Sequence, residues 1–285
     1  MNPTDSKPLG LIVCMPTRGA VSIETMLCLR EHLDGYPNKL LTAFRKPVVE
    51  ARNQLAKDAR ELDPTYLDFD PKYALWVDDD AWWPGGHVDR AVRILEDHPD
   101  VDMVSGLFCR REAYAPPVIY YQRTPGSAYC ERLPLLSYNP GELIPLTIAG
   151  GHWLVIRRDL LTKVGPEPFN RLPWKDANFN DSRLDDKTQD LIGQMPEDLS
   201  FCERVIRAGC KIVTGRSLLV GHVEVATGIC YFPNSPAMTA NGLETPLPHY
   251  GTGQDYGACR SYFSSLADDV WKADIPTFND EAEAA

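Results

Sequence analysis

Tyr73-Ala-Leu-Trp-Val77 runs straight into three carboxylates, Asp78-Asp79-Asp80, and then into Ala81-Trp82-Trp83-Pro84. An apolar run of strand length that stops at charged and turn residues reads as a buried strand, and a buried strand needs layers on both faces. That requirement points to an α/β sheet covered by helices. Side chains alternate along a strand, so Asp78 and Asp80 point one way and Asp79 the other. Two carboxylates converging at such a strand end are costly unless a cation or hydrogen-bond donors neutralise them. In an open α/β sheet, ligands bind at that end. A lone Asp-Asp-Asp is more often a solvated acidic turn; the buried strand before it argues against that here.

The flanking segments alternate in the same manner. Residues 9–15 are an apolar strand broken by Pro16-Thr17-Arg18-Gly19, followed by a helix over about 21–33 and a strand at 40–44. Val48, Ala51, Leu55, Ala59 and Leu62 then recur at helical spacing. Arg52 lies beside that stripe, where it either reaches inward or snorkels along the core. A further helix buries Val88, Ala91, Val92 and Leu95, and a strand follows at 101–106.

Residues 112–146 are proline-rich loops and short strands. Strand-like 143–148 leads into Ala149-Gly150-Gly151-His152-Trp153 and the apolar 154–156. Paired glycines in such a place let a ligand or another backbone approach, or form a bulge, and His152 and Trp153 read as core residues. A short helix is expected at 158–164. The polar stretch 166–196 shows little periodicity and reads as a long loop, either functional or disordered. A helix begins at Pro196-Glu197-Asp198, with Leu199, Cys202, Val205 and Ile206 inward and Gly209 as its cap. Acids in a first turn complement the helix dipole, so the pair has a structural explanation as well as a chemical one. Short strands are expected at 211–214 and 218–220, the second ending at Gly221-His222.

Charge and cysteine usage narrow the function classes. A net charge of -11 over 285 residues disfavours a broad surface for DNA or anionic lipid, though a local positive pocket for a phosphorylated ligand remains open. The 8 cysteines include no Cys-x-x-Cys pair, so buried thiols are expected rather than a zinc or redox motif. No apolar run approaches bilayer length and residues 1–8 lack a signal-peptide core, so a soluble cytoplasmic protein is expected.

Taken in order, Pro16-Thr17-Arg18, Arg52-Asn53, Asp78-Asp79-Asp80, Gly150-Gly151, Glu197-Asp198 and Gly221-His222 resemble the motifs of GT-A glycosyltransferases, family 2 and its relatives in particular. The likeness spans roughly residues 9–224. It implies one GT-A (Rossmann-like) α/β domain over 9–225. Its central sheet would be mixed and mostly parallel, flanked by helices, with a C-terminal extension over 226–285 that wraps the domain and ends in an acidic disordered segment. It implies an enzyme that moves a sugar from a nucleoside-diphosphate sugar to an acceptor hydroxyl. Thr17, Arg18, Arg52, Asn53, Asp78, Asp79, Gly150 and Gly151 would contact the donor. Asp80, Asp78 and His222 would hold Mn2+ or Mg2+, and Asp198, with Glu197 beside it, would supply the general base of an inverting reaction. The triad's central residue is a third acid, Asp79, at a position where the family is permissive, while the 166–196 loop and the 226–285 tail have no counterpart in the family pattern. With a sugar donor implied, the loop is expected to close over donor and acceptor, with Trp174 either stacking on a sugar ring or packed on the domain surface. A retaining enzyme could carry the same acids and histidine.

Two other readings use some of the same residues. A nucleotidyltransferase also pairs aspartates and magnesium on an α/β sheet, but would carry a Gly-rich, Lys-containing loop where Pro16-Thr17-Arg18-Gly19 stands. A nucleotide- or carbohydrate-binding protein that kept the fold without turnover would not need the Glu197-Asp198 pair.

Overall fold

The computed structural model describes residues 7–33, 35–111, 121–123, 129–132, 142–174, 180–181, 193–215 and 217–232. The first half is a run of strand–helix units: β1 (Leu9–Thr17), α1 (Ile23–Glu31), β2 (Asn38–Phe44), α2 (Val48–Glu61), β3 (Asp70–Val77), the two-residue β4 (Ala81–Trp82), α3 (His87–Asp97) and β5 (Met103–Ser105). Then come β6 (Tyr121–Arg123), β7 (Tyr129–Arg132), β8 (Leu143–Leu146), β9 (Trp153–Arg157), the single turn α4 (Leu160–Lys163) and β10 (Asn180–Asp181). Helix α5 (Glu197–Arg207) precedes β11 (Ile212–Gly215), β12 (Gly221–Glu224) and β13 (Ile229–Tyr231).

Seven of these strands form the central sheet, in the order β2-β1-β3-β9-β5-β11-β8. Pairings β1/β2, β1/β3 and β5/β11 are parallel. Strand β9 enters between β3 and β5 antiparallel to both, and β8 closes one edge antiparallel to β11, so five strands point one way and two the other. This is the expected mixed, mostly parallel α/β sheet. Its central strands are buried end to end, from Leu11 to Met15 on β1 and from Tyr73 to Val77 on β3. The covering helices turn their apolar stripes inward: Ala51, Leu55 and Ala59 on α2, Val88, Ala91, Val92 and Leu95 on α3, and Leu199, Cys202 and Val205 on α5. Trp76, Trp83, Trp153, Phe169 and Phe201 are the bulkiest fully buried side chains beside Tyr73.

A second sheet, β13-β12-β4, is what brings the late histidine to the acidic turn. Helix α1 anchors it. Ser22 caps α1 by accepting from the Thr25 amide at 3.0 Å, the Thr25 hydroxyl donates to the Ala81 carbonyl at 2.8 Å, and the Cys28 thiol donates to the Trp83 carbonyl. β4 is therefore bonded to α1 on one side and paired with β12 on the other.

Several boundaries differ from expectation. Residues 218–220 form no strand; only a single bridge, Leu107 to Leu219, is made there, and His222 sits inside β12 rather than beyond a strand end. The expected helix at 158–164 shrinks to one turn, with Gly165 at a φ of 94° closing it. Residues 226–232 continue the domain, because β13 pairs with β12. The remainder of the expected extension, 233–285, lies outside the described residues, as do 175–179 and 182–192 of the expected loop. Trp174 is buried, with its amide donating to the Gly193 carbonyl, so its ring is not displayed for a sugar to stack on.

Candidate metal centre and its cleft

Strand β3 ends at Val77, and the three aspartates form a turn closed by the Ala81 amide on the Asp78 carbonyl at 3.3 Å. The turn nevertheless keeps the alternation expected of a strand. Asp79 faces β1: its carboxylate accepts from the Arg18 amide at 3.2 Å, and its carbonyl accepts from the Ser22 amide at 2.7 Å. Burial raises the Asp79 carboxyl above its ordinary value, against the hydrogen bond from Thr17. Asp78 and Asp80 face the other way, and both meet His152.

Backbone pairing sets that meeting. The Val77–Trp153 register of β3 and β9 places His152 beside Asp78, whose amide donates to the His152 carbonyl at 3.0 Å. Pairing of β12 with β4 sets His222 opposite Ala81, and the Val223 amide donates to the Asp80 carbonyl at 2.8 Å.

The two imidazoles are then oriented by their outer nitrogens. A carbonyl can only accept, so His152 donates Nε2–H to Gly221 (3.3 Å) and His222 donates Nδ1–H to Cys109 (3.0 Å). The inner nitrogens both face one carboxylate: His152 Nδ1 lies 3.6 Å and His222 Nε2 3.3 Å from Asp80. Lone pairs aimed at a carboxylate repel it unless a cation lies between, and a backbone carbonyl on the far nitrogen is the usual support of a metal-ligating histidine. Ligand atoms of Asp80, His152 and His222 all lie within 4.8 Å of one another. One carboxylate and two imidazoles fit a divalent transition ion.

The charges at the turn agree with a place for a cation. Burial works to raise the Asp80 carboxyl, yet the hydrogen bond from His222 and the charges of His152, His222 and Arg111 hold it far below the ordinary range. Burial works to lower His152, and Asp78 and Asp80 overcome that and raise it.

Asp78 was expected among the ligands, and it lies outside this group. Its carboxylate turns to Arg52, with Nη2 to Oδ1 at 2.9 Å, and its other oxygen lies 3.3 Å from His152 Nδ1. His152 takes the third place in the group; the sequence reading gave it no ligand role, and its burial agrees with the core placement considered for it. The available signal was its position immediately after Gly150-Gly151. Arg52 itself reaches inward, 4% exposed, and its Nη2 also donates to the Gly151 carbonyl at 3.3 Å while Nη1 lies 3.5 Å from Glu197. The glycines exist for this packing: a Cβ on Gly151 would stand 1.9 Å from Arg52 Nη1, and one on Gly150 would stand 2.3 Å from the Phe108 ring. Asn53 points elsewhere, holding the Phe169 amide (2.9 Å) and the Asn170 side chain (2.7 Å).

A cleft of about 660 Å³ opens over the carboxyl ends of β1, β2 and β3. Thr17, Arg18, Asp78, Asp79, Asp80, Arg52, His222 and Glu197 line it together with Arg45, Lys46 and Arg111, three cations not singled out from the sequence. Arg111 pairs with Asp80, whereas Arg18, Arg45 and Lys46 make no ion pair among the described residues. Arg45 adopts a φ of 54°, unusual for a residue with a Cβ, and its amide donates to the Thr17 carbonyl at 2.9 Å across the cleft floor. Glu197 forms part of the wall. Half-buried Asp198 sits behind it, accepting from the Leu199 amide at 2.9 Å, and its carboxyl is raised to about 6 by burial and by Glu197, against the pull of Arg52 and the Gly151 amide.

No family model matches this sequence, and no curated protein does. Among solved structures, A197 from STIV is similar at a TM-score of 0.50 and 14% identity, over 86% of this chain and 100% of that one. At that identity the likeness supports the mixed α/β fold and carries nothing about the site. No helix among the described residues is long and apolar enough to cross a membrane.

Proposed function

We propose that this chain is a metal-dependent glycosyltransferase that moves a sugar from a nucleoside-diphosphate sugar to an acceptor hydroxyl. The observation that carries the reading is the cleft at the strand ends. It brings Asp80 and His222 of the candidate triad, three cations that make no ion pair among the described residues, and a carboxylate wall into one space of about 660 Å³. A bound divalent ion would neutralise charge developing on the leaving diphosphate. Arg18, Arg45 and Lys46 would hold the remaining phosphate charge, and the backbone turn at Thr17 would seat the nucleotide beside Asp79. Asp80, His152 and His222 would hold the ion.

An acceptor hydroxyl is a poor nucleophile near neutral pH and needs a carboxylate to take its proton. Asp198 suits the task because its carboxyl is raised toward neutrality while remaining ionised above pH 6. Glu197 is the second reading for this role, favoured by its place on the cleft wall in front of Asp198.

Calorimetric titration of UDP and GDP, with Mn2+ and then with a chelator, tests the donor half of the reading. Nucleotide affinity is expected to fall at least about tenfold when the ion is removed, since the ion would supply positive charge that offsets the diphosphate. Equal affinity in both conditions would refute a metal-dependent donor site. Release of free sugar from a nucleotide sugar in the presence of Mn2+ would separate an enzyme from a binding protein on the same fold.

A further inference from the structure

At its β2 edge the sheet is well covered on one face and open on the other. We propose that residues 258–271 of this same chain dock on the open face as an amphipathic helix, in the apolar groove between α1 and β2. Neither the metal centre nor sugar transfer is involved.

Side chains alternate along β2, and the face carrying Leu41 and Ala43 is the covered one, with Ala43 4% exposed. The other face carries Leu40 and Phe44, which are 41% and 53% exposed. Leu40 stands opposite Val13 in the β1–β2 register, and these two join Ile23, Met26 and Leu29 of α1 in walling a groove of about 480 Å³. Ile23 and Met26 are themselves 54% and 48% exposed. Single exposed apolar side chains are ordinary, but a helix and a neighbouring strand that turn them toward one groove form a contact surface. An α/β sheet buries both faces under helices, so the element that completes this layer is a helix beside α1.

The C-terminal sequence supplies one. Cys259, Tyr262, Phe263, Leu266 and Val270 recur at i, i+3, i+4, i+7 and i+11, and the opposite side is serine, aspartate and one arginine. Position and charge favour this segment over a second copy of the chain. Phe232, the last described residue, lies edge-on against Trp82 of β4, and the Thr25 hydroxyl ties β4 to α1. From there the 25 residues 233–257 extend up to about 80 Å, ample to carry the segment across α1. Arg30 is the charged residue lining the groove, and Asp268 and Asp269 lie in the segment. A second molecule would bring a net charge of -11 against an equal one, whereas a tethered segment is present at a roughly millimolar effective concentration.

Hydrogen exchange of the full chain, read by mass spectrometry, tests the docking. An isolated helix of about 14 residues is marginal in water, so slow exchange over 258–271 reports packing rather than local propensity. Those amides should exchange at least about tenfold more slowly than the amides of 277–285. Met26→Glu combined with Leu40→Glu should bring both stretches to one rate while β1 and β3 keep their protection, because the two positions are exposed. A second measurement serves if that variant fails to fold. The described cysteines are buried, so in Met26→Cys a short bismaleimide should join the introduced thiol to Cys259, and Phe263→Asp should suppress the crosslink.

Fast exchange over 258–271 in the wild type would overturn the proposal. Protection that survives the two glutamates, or a crosslink indifferent to Phe263→Asp, would place the segment on another surface and overturn it equally. Protection that disappears on dilution, in step with a fall from dimer to monomer mass, would give the groove to a second copy.

Discussion

Gly151→Ala tests the central packing claim, that a glycine makes room for a buried guanidinium which in turn holds the acidic turn. The added Cβ would stand 1.9 Å from Arg52 Nη1 and 2.6 Å from Cζ, far inside contact distance. Gly151 is not among the residues with positive φ, so alanine meets no backbone strain and the whole cost is steric. The guanidinium cannot swing to solvent, since it is 4% exposed and bonded to Asp78, to the Gly151 carbonyl and, as an ion pair, to Glu197. Overpacking costs about 1–3 kcal/mol, and loosening a buried pair costs about 3–5 kcal/mol. Asp78 keeps some solvent contact, with a side chain 27% exposed, which reduces the second contribution. A net loss of about 2–4 kcal/mol is expected, or a Tm lower by roughly 4–16 °C at about 2–4 °C per kcal/mol.

Urea unfolding of four proteins measures the coupling: wild type, Gly151→Ala, Arg52→Ala and the double variant. Once the guanidinium is gone, the new methyl enters vacated space, so Gly151→Ala should cost less than about 1 kcal/mol in the Arg52→Ala background. The difference is an interaction energy of at least about 1 kcal/mol. If alanine costs the same in both backgrounds, the glycine is not there for Arg52 and the argument fails.

Two further outcomes follow from titrating groups. His87 is buried under Trp153, with Nε2 donating to the Leu219 carbonyl, and burial together with Arg90 lowers its pKa to about 3. The unfolded chain binds this proton near pH 6.5, so stability is full above that pH and is lost as pH falls toward 3. The loss is about 2 kcal/mol at pH 5. Chemical denaturation across pH 7 to 4 should show this slope, and His87→Gln should flatten it; an unchanged slope would place the acid sensitivity elsewhere. For Asp198, raised to about 6, the rate of sugar transfer should climb with pH through that region. Asp198→Asn should then cost on the order of 100-fold in turnover while nucleotide binding survives, with Glu197→Gln milder. A larger loss from Glu197→Gln would transfer the base role to Glu197.

The local patterns in the chain were decisive for what each segment became. Apolar spacing at 88, 91, 92 and 95 forecast the buried face of α3, and the apolar run from 73 to 77 forecast a strand buried on both sides, because period and burial are properties of consecutive residues. The acidic turn, the glycine pair and the acids at the start of α5 were visible for the same reason. Tertiary structure alone decided which of these side chains meet. β9 inserts between β3 and β5 and carries His152 to Asp78, and β12 pairs with β4 and carries His222 to Asp80. Those pairings join residues more than 70 positions apart, and no spacing within a segment encodes them. A histidine next to a tryptophan on an apolar strand looks like core until the partner strand is known. Asp78 looks like a ligand until a buried arginine from α2 is found holding it. Which side chains gather into a candidate ligand group depends on which strands lie across the sheet, and that is decided only when the sheet closes.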